Sequence, residues 1–96
     1  MNNPELLALV QTEMLRQQQL WGIQDHPQAM WMTILMEEVG EAAHAALEDD
    51  VDNYEEELVQ VAAVAMSALK NFKHQQLVKQ EMDNVIAALE DVPIGG

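Results

Sequence analysis

Two stretches of this chain place glutamates inside apolar helical stripes, and that conflict limits what the chain can fold into. An α-helix turns ~100° per residue. On a helix reaching about Leu47, Trp31, Ile34, Glu38, Glu41 and Ala45 then share one stripe ~80° wide, with Glu37 toward its flank. Over 53–72, Glu57, Gln60, Val64, Ala68 and Asn71 share a second stripe of ~80°. A carboxylate on a packing face is costly unless something pairs with it. The chain has four Lys and Arg against seventeen Asp and Glu, so side-chain cations are too few. A divalent cation held between two helices resolves the conflict.

Composition narrows the function. A chain of 96 residues predicts a single domain, with a core over about 4–91 and a tail over 92–96. A domain this small gains from self-association. At 49% apolar residues it reads as a folded protein, not an acidic disordered tail. The lack of cysteine excludes disulfides and thiolate metal sites and fits a cytoplasmic setting. The start lacks the charged and apolar regions of a signal peptide. No apolar run approaches the ~18 residues of a membrane span. A formal charge of −13 disfavours nucleic acid as a partner. Such a chain reaches a polyphosphate only through bridging metal ions. The same charge suits an acidic decoy that imitates DNA.

Helical spacing and breakers predict an all-α, four-helix protomer assembling into an oligomeric helical bundle. Asn3 caps a first helix over Pro4–Gln19. Trp21 to Pro27 is a connection. A second helix, with Pro27 in its first turn, reaches Leu47. Glu48 to Asn53 is an acidic loop, with Asp52 or Asn53 capping a third helix that ends near Phe72. A bend at Lys73-His74 precedes a fourth helix over Gln75–Glu90, with Val78, Met82, Val85 and Leu89 on one face.

A Glu pair on a helix is ordinarily a solvated face, because Glu is rarely buried. Two such clusters inside apolar stripes, on helices that a short loop makes antiparallel neighbours, point instead to a Mg2+ or Mn2+ site. Glu38 and Glu41, three residues apart, can converge on one ion.

The run Glu37-Glu38-Val39-Gly40-Glu41, a fifteen-residue spacer, then Glu57-Leu58-Val59-Gln60, with His26-Pro27 ahead of both, resembles the MazG-like all-α nucleoside triphosphate pyrophosphohydrolases. The likeness covers roughly Leu15 to Asn71. The family's usual final Asp is here Gln60, which offers a neutral carbonyl oxygen; a branch of small MazG-like proteins carries Gln at this place. The resemblance implies a homodimer or homotetramer. It also implies hydrolysis of a nucleoside triphosphate, deoxynucleotides favoured, to the monophosphate and pyrophosphate, a cleansing role for the nucleotide pool.

The resemblance likewise implies roles for single residues. Glu38, Glu41 and Glu57 bind Mg2+, and Gln60 adds an oxygen or orients a water. The catalytic pair is Glu37 and Glu38, with Glu37 activating the water. Trp21, His26 and Trp31 serve base and sugar; Lys70, Asn71 and Lys73 serve the rest of the nucleotide. Plainer readings stand beside these. Trp31 lies on the packing stripe, His26 can cap a helix, and Lys70 and Lys73 complement a helix C-terminus. His44 and His74 read as surface or packing residues. Two readings compete: a non-catalytic acidic helical module, an inhibitor or DNA mimic, and a different pyrophosphohydrolase with the same metal logic, for example acting on phosphoribosyl-ATP, which the scarcity of cationic residues fits less well.

Overall fold

The first helix begins at a side-chain cap. Asn2 Oδ1 accepts the Glu5 N–H at 2.9 Å, one residue earlier than the expected cap at Asn3. Pro4 sits in the first turn, where its missing N–H costs nothing. This helix, α1, spans Asn3–Trp21 and ends at Gly22, whose φ of 74° suits glycine. Its C-terminus lies past the expected Gln19, so Trp21 is helical and not part of the connection. The computed structural model describes residues 1–91; the tail expected at 92–96 lies outside them.

The second helix, α2, spans Gln28–Leu47 with Pro27 as its N-cap, outside the first turn where it was expected. Its end is tight. Asp49 takes a left-handed φ of 53°. The Asp49 N–H bonds to the Ala46 carbonyl and the Asp50 N–H to that of Ala45, a doubly bonded helix stop usually built on glycine. Asp50 then caps the next helix by accepting the Asn53 N–H at 3.3 Å. The acidic loop thus shrinks to residues 48–50, and neither Asp52 nor Asn53 is the cap.

The third helix, α3, spans Val51–Glu90, forty residues without a break. The expected bend at Lys73-His74 is absent, and the expected third and fourth helices are one. Among the described residues the protomer therefore has three helices, not four. Lys73-His74-Gln75-Gln76 contains neither Gly nor Pro, and nothing local favours a stop.

α2 returns antiparallel along the first half of α3. Trp31 meets Asn71 at one end of this pair, and Glu38 meets Gln60 nearer the other. Its buried core is small: Trp31, Ala42, Ala45, Ala63 and Val64. α1 also packs on α3, and its backbone stands clear of that of α2. Every residue from Gln76 to Asp91 is exposed, so α1 lies along the first half of α3 and runs parallel to it. The rest of α3 projects, and the molecule measures 74 × 27 × 22 Å. Among the described residues no helix is long and apolar enough to cross a membrane.

Candidate metal centre

The antiparallel register sets Glu38 and Glu41 of α2 opposite Glu57 of α3. One carboxylate oxygen from each lies within 4.8 Å of the others. Glu38 and Glu57 are half-buried and Glu41 is exposed at the flank. Gln60, in the orientation that satisfies both ends of its amide, donates to Glu38 Oε2 at 2.8 Å and to Glu57 Oε2 at 3.3 Å. Rotating that amide by half a turn presents its carbonyl oxygen to a cation instead.

Crowded carboxylates without a counter-charge hold protons. Partial burial pushes Glu57 up to about 7, with the neighbouring carboxyls of Glu41 and Glu38 adding to the effect. Glu38 is also raised, by burial first and by Glu41 next, while its hydrogen bond with Glu57 pulls the other way. An all-oxygen donor set of this kind suits Mg2+ or Mn2+. The raised pKa values are what such a set shows when its charges face one another alone.

The linkage sets a pH dependence. Between the ordinary Glu value of 4.5 and about 7, the folded chain keeps a proton on Glu57 that the unfolded chain has released. Metal-free stability must therefore fall as pH rises through this window. Melting followed by circular dichroism in EDTA is expected to give a higher midpoint at about pH 5 than at about pH 7.5. Glu57→Gln, neutral at every pH, is expected to flatten that difference; an unchanged difference would remove Glu57 as its source.

The cluster opens on a shallow, solvent-open cleft of about 660 Å³ lined by Glu37, Gly40, Glu41, His44, Asn53 and Glu57. Glu37 is thus on the cleft but outside the carboxylate triad. His44 and Asn53 were not expected here. The signal for His44 was its place one turn after Glu41, a Glu-x-x-His spacing. Its Nε2 lies 3.2 Å from Glu48 Oε1 and away from the triad. Asn53 had been read only as a loop or cap residue.

α1 brings Arg16, also unforeseen. Glu13 holds its guanidinium with two bonds of 2.7 Å, and the Glu38 carboxylate adds to the stabilisation of its charge. It is the chain's sole Arg, and its side chain is half exposed.

The remaining expected site residues gather elsewhere. Asn71 Oδ1 accepts from Trp31 Nε1 at 2.7 Å, from the His26 N–H at 3.0 Å and from Gln75 Nε2 at 3.1 Å. Its Nδ2 donates to Asp25 at 3.0 Å. Gln75 Nε2 also donates to Asp25 and to the His26 carbonyl. The His26 ring packs edge-on against Trp31, 5.2 Å between centroids. These contacts fasten the α1–α2 connection to α3 and engage the Trp31 indole N–H and the Asn71 amide, whereas His26 enters them through its backbone, its ring Nε2 lying 3.0 Å from Gln24 Oε1. Trp21 is exposed beside this clasp, and Lys70 and Lys73 are exposed on α3. Lys70 and Lys73 follow Glu57 by ~20 and ~24 Å of helix axis, too far for one protomer to bring them to the triad.

Comparison with protein-family models, curated proteins and solved structures gives no significant match.

Proposed function

We propose that this chain is a Mg2+-dependent nucleoside triphosphate pyrophosphohydrolase, with Mn2+ as an alternative ion. It converts a nucleoside triphosphate, deoxynucleotides favoured, to the monophosphate and pyrophosphate, in the cytoplasm and as a homodimer or homotetramer. The observation that carries this reading is the convergence of Glu38, Glu41 and Glu57 within 4.8 Å across two helices, beside a solvent-open cleft. The order of the acidic motifs adds the resemblance to MazG-like enzymes.

In this reading Glu38, Glu41 and Glu57 would hold the cation, and the Gln60 carbonyl oxygen would be a further donor once its amide turns. A cation there would supply neutralisation of the triphosphate and polarisation of the α-phosphorus. Glu37, on the cleft wall, orients a water and takes its proton as the water oxygen bonds to the α-phosphorus; the bond to pyrophosphate breaks. His44 and Asn53 are the cleft groups able to hydrogen-bond sugar or base. Trp21, Lys70 and Lys73 reach a nucleotide only in an assembly. Trp31, His26 and Asn71 act through the fold and not on the ligand.

Gly40 adds a test independent of the carboxylates. It stands mid-helix on the cleft wall, and a Cβ there would meet nothing within 4 Å. A helical glycine costs ~1 kcal/mol against alanine. Gly40→Ala is expected to raise thermal stability while lowering turnover, because the methyl group enters the ligand's space. A gain in stability with full turnover would show that no ligand passes over Gly40.

The reading is tested by pyrophosphate release from a panel of ribo- and deoxynucleoside triphosphates, with Mg2+ and with EDTA. Metal-dependent release with the monophosphate as co-product supports it. A folded, Mg2+-saturated protein that turns over none of the panel contradicts it. That result would favour the acidic binding module, which the exposed carboxylates over 48–52 also suit.

A further inference from the structure

One face of α3 outlasts the helices that cover it. From Glu57 to Gln75 a seam runs through Val61, Val64, Ala68 and Asn71, at alternating spacings of four and three, and each of these is buried or half-buried. The same alternation continues without a slip through Val78, Met82, Val85 and Leu89, which are 43%, 59%, 57% and 67% exposed. A repeat of 3.5 residues keeps one edge of a helix turned toward a partner helix. The first half of that edge has α2 and the connecting loop. The second half has no partner among the described residues, and a segment of ~15 residues is marginal as an isolated helix in water.

We propose that this projecting arm, residues 76–90, pairs antiparallel with the same arm of a second copy. Val78 then faces Leu89 of the other chain, and Met82 faces Val85, in four layers about a twofold axis between residues 83 and 84. The proposal does not rest on the reaction proposed above.

Area and charge favour a second copy. With Ile86 at the flank, the seam exposes roughly 500 Å² of apolar surface per chain, and the stems of Lys79 and Glu81 extend it toward the ~800 Å² per partner of a standard interface. Residues 1–75 carry thirteen of the seventeen acids and three of the four cations, a formal −10. The arm, residues 76–90, carries Lys79 against Glu81, Asp83 and Glu90, a formal −2. Pairing two arms thus sets −2 against −2 while the −10 bodies stay apart, whereas a basic partner is drawn to the body. Charge also selects the direction. Parallel arms would set two −10 bodies side by side; antiparallel arms hold them ~25 Å apart along the axis, beyond the ~8–10 Å screening length.

The test combines light scattering of the full chain with one distance. The wild type is expected to be dimeric at micromolar concentration. Met82→Glu and Val85→Glu are each expected to raise the dimer dissociation constant at least ~100-fold with helical content unchanged, since both side chains are exposed in the protomer. Leu6→Glu, on the exposed side of α1, is expected to leave the dimer intact. The chain has no cysteine, so a nitroxide on Lys73→Cys labels one place per copy. Antiparallel arms separate the two labels by ~32 Å along the axis, whereas parallel arms bring them within ~20 Å. A monomeric wild type, a dimer indifferent to Met82→Glu and Val85→Glu, a dimer broken by Leu6→Glu, or a short label distance would each overturn the proposal.

Discussion

Glu38→Gln and Glu41→Gln are each expected to lower pyrophosphohydrolase turnover at least ~100-fold while leaving helical content unchanged. Each substitution keeps the side chain's size and removes one of three charges that converge within 4.8 Å. With the ion fixed by fewer anionic oxygens, its affinity and position both suffer. Stability should move the other way. In the metal-free chain, Glu41 adds to the upward shift of both Glu38 and Glu57, so a neutral amide relieves repulsion and the EDTA-treated variant should melt no lower than the wild type. Lost turnover with equal or higher stability is the signature of a site whose charges oppose folding. Full turnover in both variants would remove these carboxylates from the reaction.

The second large effect belongs to the clasp. Asn71→Ala is expected to destabilise the protein by ~3 kcal/mol and lower its melting midpoint by ~10–20 °C. The Trp31 indole N–H, on a residue only 7% exposed, loses its 2.7 Å acceptor. The His26 N–H loses its 3.0 Å partner as well. Asp25, held below its ordinary value chiefly by hydrogen bonds from Gln75 and then Asn71, loses one donor. The experiment also separates two roles for Asn71. A weakened KM with an unchanged midpoint would return it to the ligand; a lower midpoint with a KM unchanged well below that temperature assigns it to the fold.

The residues that made the carboxylate cluster legible in the sequence were those whose chemistry conflicts with their place. Glu38 and Glu57 stand on helical stripes that pack, and a short α2–α3 connection leaves those stripes facing each other. The split of α3 into two helices was a wrong expectation with a physical cause. Lys73 to Gln76 is polar on all sides, and polarity alone resembles a loop, yet the seam spacing runs through Asn71, Gln75 and Val78 unbroken. Asn71 and Gln75 sit at seam positions because they reach the α1–α2 connection, a partner that helical periodicity on one segment does not reveal. Arg16 was missed for the same reason: it comes near the centre through tertiary packing, from α1. Asn53 was missed because α3 starts earlier than the acidic loop suggests, which puts Asn53 one turn before Glu57. The chain ends its turns with Asp50 and a left-handed Asp49 in place of glycine, so the loop looked three residues longer than it is.

In the proposed reaction water attacks the α-phosphorus under metal control. The fate of heavy oxygen reads this out when the protein is given a deoxynucleoside triphosphate with Mg2+ in labelled water. One label in the monophosphate, none in pyrophosphate, and no reaction in EDTA are the expected result. Label in inorganic phosphate or pyrophosphate, or no turnover by the folded Mg2+-saturated protein, would contradict the account.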